Sequence, residues 1–170
     1  MQKRGQFYLV AAIILSGIII SIAIITNTSS AKGNSATEMN NLRQELKTES
    51  AKTTDYAINN SLTQGQTDTL LENFSQNYID SEKDKNLYFL IGDQQGINVM
   101  GWQANAYNVY VDGNFITGSQ GQFSKAITPS GTTIDIVING NTYIAGLKSG
   151  ENFYFIASKE VNGENYVITS

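Results

Sequence analysis

Cysteine and histidine are absent from this chain of 170 residues, and proline occurs once. Without cysteine there is no disulfide, no thiolate nucleophile and no iron–sulfur cluster. Without histidine there is no imidazole base, no Ser-His-Asp triad and none of the usual zinc sites. The commonest hydrolytic mechanisms lose their residues, so neither an enzymatic activity nor a cofactor nor a metal is expected. Positive charge is also scarce, with 11 Lys and Arg against 15 Asp and Glu and a formal net charge of −4. No basic stripe can neutralise phosphates, which argues against nucleic acid as a partner.

What the chain does have is a long run without charge. After Met1-Gln2-Lys3-Arg4-Gly5-Gln6 the sequence is apolar from Phe7 to Ile25, interrupted only by the small residues Ser16, Gly17 and Ser21. At about 1.5 Å per helical residue the run spans roughly 28 Å, close to the ~30 Å hydrocarbon core of a bilayer. Lys3 and Arg4 are the basic residues ahead of it, and every acidic residue follows it. That asymmetry predicts Lys3 and Arg4 on the cytoplasmic side and residues 27–170 outside. N-x-S/T triplets at Asn27, Asn59 and Asn73 are candidate glycan acceptors on such an exterior.

Thr26 to Ala36 is made of poor helix formers around Gly33 and reads as a hinge. Beyond it Met39, Leu42, Leu46, Tyr56, Ala57, Ile58 and Leu62 are spaced for an amphipathic helix of about six turns. Gln64-Gly65-Gln66 reads as the break, with Thr67 or Asp68 capping a second helix. In that helix Leu70, Leu71, Phe74, Tyr78 and Ile79 form the apolar stripe, and Glu72, Ser75, Gln76 and Asp80 face away. Ser81 to Lys85 reads as a charged exit.

From Asn86 the apolar period changes from helical spacing to two. Leu87, Phe89 and Ile91 alternate with Tyr88 and Leu90; Tyr107, Val109 and Val111 alternate with Asn108 and Tyr110. Thr132, Ile134, Ile136 and Ile138 share a face, as do Phe153, Phe155 and Ala157. Turn signals stand between them, at Asp93 to Gly96, Asp112-Gly113-Asn114, Asn139-Gly140-Asn141, Ser149-Gly150 and Asn162-Gly163. Seven or eight short strands joined mainly by hairpins follow, with Thr117 to Ser130 as a looser loop or edge excursion. The fold class expected is α+β: an N-terminal membrane or filament helix, two exterior helices, then an antiparallel β domain built as a sandwich or partly open barrel. The boundaries are 1–5, 6–26, 27–36, 37–85 and 86–170.

The start of the chain resembles archaeal type IV pilin-like proteins, in which a short basic leader ending in Gly precedes an apolar helix. Lys3-Arg4-Gly5-Gln6 carries the resemblance, which implies cleavage between Gly5 and Gln6 by a processing peptidase. It also implies assembly of the freed helix, through Phe7, Leu9, Val10, Ile13, Ile14, Gly17 and Ile18, into the core of a filament of identical subunits. The acidic residue that many bacterial pilins carry at the fifth mature position is replaced by Val10, a departure shared by many archaeal pilin-like proteins. Residues Lys3 to Ala12, Glu45 to Ser50 and Thr54-Asp55-Tyr56 also resemble archaeal membrane-anchored surface proteins with two exterior helices and a β domain. Two other readings of the apolar run stand beside assembly: a permanent single-pass anchor, and a secretory signal cleaved near Ser29-x-Ala31.

Among other candidates, Asp112-Gly113-Asn114 has oxygen ligands but reads first as a hairpin turn. Asp135 fits a solvated strand face, and Glu151, Glu160 and Glu164 form no acid/base pair. Trp102, Tyr110 and Tyr154 are candidates for a surface that binds a glycan or a cell-surface target, whereas Tyr107, Phe153 and Phe155 read as core. The expected role is structural, at the cell surface.

Overall fold

The computed structural model describes residues 34–148 and 152–170. Among them are two helices, α1 through 34–59 and α2 (Gln64–Ser81), followed by nine strands. The strands are β1 (Asn86–Gly92), β2 (Ile97–Gln103), β3 (Val109–Val111), β4 (Asn114–Thr117) and β5 (Gly121–Ile127). They continue as β6 (Thr133–Ile138), β7 (Asn141–Gly146), β8 (Asn152–Val161) and β9 (Glu164–Thr169). They form two sheets: sheet A in the order β5-β2-β1-β8-β9 and sheet B in the order β4-β3-β6-β7. Every pairing is antiparallel.

The period-two pattern of β1 builds the layers. Leu87, Phe89 and Ile91 point to one side of sheet A, where they meet Met39, Leu42 and Leu46 of α1 and Leu71 and Ile79 of α2. Tyr88 and Leu90 point to the other side and meet Val109, Val111, Ile134, Ile136 and Ile138 of sheet B. All seven residues of β1 are buried. The fold is therefore three layers, helices on sheet A on sheet B, and the β portion is a sandwich. Its strands number nine rather than seven or eight, because Thr117–Ser130 contains β5, an edge strand of sheet A.

Three hairpins turn on two residues of positive φ: Asp112-Gly113 (50°, 74°), Asn139-Gly140 (49°, 80°) and Asn162-Gly163 (55°, 77°). These left-handed pairs match the right-handed twist of the strands they join. At Gly101 a Cβ would lie 2.0 Å from the Leu87 carbonyl oxygen and 2.6 Å from the Phe123 ring, so no side chain fits where Phe123 crosses β2.

The helices depart from expectation in four places. Residues 34–36, assigned to a hinge, are helical; the rest of that segment lies outside the described residues. Tyr56 and Ile58 are 58% and 68% exposed, and between them only Ala57 is buried. Gln64-Gly65-Gln66 is the first turn of α2 and not a break. Thr63 caps it in a box with Gln66, which helps offset the backbone entropy cost of Gly65. Ser75 is fully buried, completing a Thr67–Leu71–Ser75–Ile79 stripe whose small residue lets α2 approach the sheet.

Candidate functional site

The junction of α1 with the β sandwich carries the densest chemistry among the described residues. Lys85 stands just before β1, and its side chain is only 5% exposed. Its ammonium contacts Glu38 Oε1 of α1 at 2.7 Å, Asp84 Oδ1 at 3.1 Å and the Glu82 carboxylate. Lys159 of β8 reaches the other oxygens of the same two acids, Glu38 Oε2 at 2.9 Å and Asp84 Oδ2 at 2.7 Å. Two lysines thus share two carboxylates in a ring, with Glu82 as a fifth member.

Hydrogen bonds from Lys85 and then Lys159 hold Glu38 below its ordinary range. Burial pushes Asp84 up, but the same two lysines outweigh it and the net shift is downward. Burial likewise pushes both lysines down, and their carboxylate partners reverse this, so each is raised. The charged forms therefore favour one another. The ring joins α1, the exit of α2 and β8, three segments with no sequence proximity. Arg43 adds a bond from Nε to the Thr169 carbonyl oxygen of β9 at 2.9 Å, and the Tyr78 hydroxyl donates to Glu45 at 3.0 Å. The direction in which α1 meets the sandwich is fixed by both apolar packing and charge.

The processing and assembly residues Lys3, Arg4, Gly5, Gln6, Phe7, Leu9, Val10, Ile13, Ile14, Gly17 and Ile18 lie outside the described residues, as does Asn27. Among the described residues no helix is long and apolar enough to cross a membrane. Asn59 is exposed at the end of α1, and Ser61 of its triplet is exposed too. Asn73 is exposed on α2, whereas Ser75 of its triplet is buried against sheet A. The folded chain offers the Asn59 triplet to solvent and withholds part of the Asn73 triplet.

The three candidate binding aromatics lie in different layers and make no common surface. Trp102 of β2 faces the helices, donates from Nε1 to the Lys83 carbonyl oxygen at 3.0 Å, and lies under the Lys83 ammonium at 4.0 Å. Tyr110 lies on the outer face of sheet B, 39% exposed, edge-to-face with Phe115 at 5.5 Å. Tyr154 of β8 packs between the sheets, beside a cavity of about 280 Å³ lined also by Leu90, Ile97, Ile134 and Leu147. Tyr107 and Phe153 are partly buried against the two cores and Phe155 fully buried. The exposed apolar residues missed in the sequence are Phe115, Ile144 and Val167. Ile144 alternates correctly along β7, but the face it shares meets no other layer among the described residues.

Asp112 serves the turn. Its carboxylate accepts from the Ser130 amide at 2.6 Å and the Ser130 hydroxyl at 2.9 Å, pinning the approach to β6. Asp135 is exposed. Glu160 accepts from the Tyr107 hydroxyl at 3.0 Å and Glu164 from the Tyr166 hydroxyl at 3.1 Å. Glu151 lies outside the described residues. Among the described residues no group of three or more acidic, His or Cys side chains is placed to hold a metal ion.

Comparison with protein families, with curated proteins and with solved structures gives no match for this chain.

Proposed function

We propose that the chain is a structural subunit of an archaeal type IV pilus-like surface filament. Its N-terminal apolar helix would pack with copies in the filament core and its sandwich would lie outside. The observation that carries this reading is the charge-free run Phe7–Ile25 directly behind Lys3-Arg4-Gly5-Gln6. A basic leader holds the run at the cytoplasmic face, and its removal after Gly5 frees an apolar helix that close packing can hold in a bundle. The junction supports the reading further. The segment that follows the apolar run in the sequence, α1, is tied to the sandwich by the Glu38–Lys85–Asp84–Lys159 ring.

Membrane insertion would precede assembly, and a processing peptidase would be the first partner. Intact mass of the mature surface protein tests this: a chain beginning at Gln6, together with filaments visible by electron microscopy, is the expected result. Met1 retained in the mature protein overturns it. That outcome favours a single-pass anchored surface protein that binds a glycan or a cell-surface target without polymerising. The exposed Tyr110–Phe115 pair supports this second reading.

A further inference from the structure

Each sheet has two edges, and three of the four carry a charged residue or accept a hydrogen bond from one. β4 and β5 lie against each other, with Lys125 of β5 donating to the Phe115 carbonyl oxygen of β4 at 2.6 Å. β9 is flanked by α1, whose Arg43 holds the Thr169 carbonyl oxygen. The remaining edge is β7, Asn141-Thr142-Tyr143-Ile144-Ala145-Gly146, paired with β6 through six successive residue pairs without a bulge. It contains no charge and no proline, the residues that usually blunt an edge. Ile144 at its middle is 64% exposed.

The hydrogen-bond parity of β7 follows from its turn. In a two-residue hairpin the residues flanking the turn, Ile138 and Asn141, exchange hydrogen bonds, and so does every second pair beyond them. The Leu147 amide donates to the Thr132 carbonyl oxygen at 2.7 Å, which places that pair in the same series. Thr142, Ile144 and Gly146 therefore turn their N–H and C=O groups away from β6. Consistent with this, the Tyr154 hydroxyl of the other sheet reaches the Ile144 carbonyl oxygen, at 3.5 Å.

We propose that β7 is a pairing edge for a second copy of this chain, added antiparallel across a twofold axis centred on Ile144. In this register Ile144 faces Ile144 of its copy and Thr142 faces Gly146. All three outward-turned residues find partners, giving about six backbone hydrogen bonds. Gly146 brings no side chain against Thr142, and an uncharged strand sets no like charges face to face across the axis. A six-residue edge covers much less than the ~800 Å² per partner of a stable dimer. The pairing is accordingly weak and belongs where copies are concentrated. It uses only residues of the sandwich and is independent of the filament reading.

The absence of cysteine allows a clean test. Full-length chain in detergent micelles carrying Thr142→Cys, Ile144→Cys or, on the far edge of the sheet, Phe115→Cys is treated over a range of concentrations with a bis-maleimide long enough to span the four residues, about 14 Å, that separate position 142 from its copy in this register. The Ile144→Cys variant is expected to form covalent dimers at least about tenfold faster than the Phe115→Cys variant. Adding Ile144→Lys to Thr142→Cys sets like charges opposite each other, and cross-linking at 142 should fall by at least about tenfold with the circular dichroism unchanged. Tyr154→Phe, which frees the Ile144 carbonyl, should leave cross-linking equal or higher. Equal rates at 144 and 115, or cross-linking at 142 that survives Ile144→Lys, each overturn the proposal.

Discussion

Sheet A and sheet B are built from the same kind of strand yet are treated differently by the rest of the chain. Sheet A is covered on both faces, by helices on one side and by sheet B on the other, so its central strand β1 is buried throughout. Among the described residues sheet B is covered on one face only. Its outer side carries Tyr110, Phe115 and Ile144 at 39%, 48% and 64% exposure. Apolar residues in alternating strands thus do not by themselves tell a covered face from a bare one. What decides is whether another element has a matching stripe, and α1 and α2 supply one to sheet A alone.

The contrast can be broken most strongly at β1. Phe89→Ala should cost about 4 kcal/mol in urea unfolding, since it leaves a cavity between sheet A and the helices. Gly101→Ala should cost about 3 kcal/mol, because the new methyl group drives into the Leu87 carbonyl and the Phe123 ring. At the junction, Lys85→Met should cost about 2 kcal/mol by thermal melting. That is less than the loss of one partner from a fully buried pair, because Glu38 and Asp84 still reach water.

Titration sharpens the same point. Glu38 and Asp84 lie below their ordinary values of 4.5 and 3.8, so their contribution is complete above those values and is lost as pH falls through the folded-state values. Lys85 and Lys159 lie above 10.5, so theirs is complete below that pH and is lost only at higher alkalinity. Melting temperature should therefore be flat from about pH 5.5 to about pH 9.5 and fall in acid, with Lys85→Met shrinking the acid limb. On the bare face of sheet B, Ile144→Ser should change stability by no more than about 0.5 kcal/mol. A loss comparable to that at Phe89 would mean that this face is covered after all.

The strands were legible in the sequence wherever local rules act. Period two with Asp-Gly and Asn-Gly turns located β1, β3, β6 and the hairpins after β3, β6 and β8, because turn chemistry and alternation are properties of a few adjacent residues. β5 was not legible as a strand: Gly121-Gln122-Phe123-Ser124-Lys125 is mostly solvent-facing, and its place is set by β2, not by its own composition. Ser75 reads as polar and hence outward, yet its small volume is what a close helix–sheet contact selects. The junction was the least legible. Lys85 reads as part of a charged exit, since its partner Glu38 lies far along the chain and Lys159 further still on the other side. Only the fold makes them neighbours.

The bond from Arg43 to Thr169 spans 126 residues and that from Lys159 to Glu38 spans 121. Synthesis proceeds from the N-terminus at roughly 5–20 residues per second. The inner face of α1 is therefore made many seconds before β8 and β9, the strands that cover it. During that interval Met39, Leu42 and Leu46 have α2 and the first strands of sheet A to rest on but not Phe155, Ala157 and Ile168, so their packing is completed last. The last two strands act as the latch of the fold, and the helix at its front becomes fixed only when they arrive.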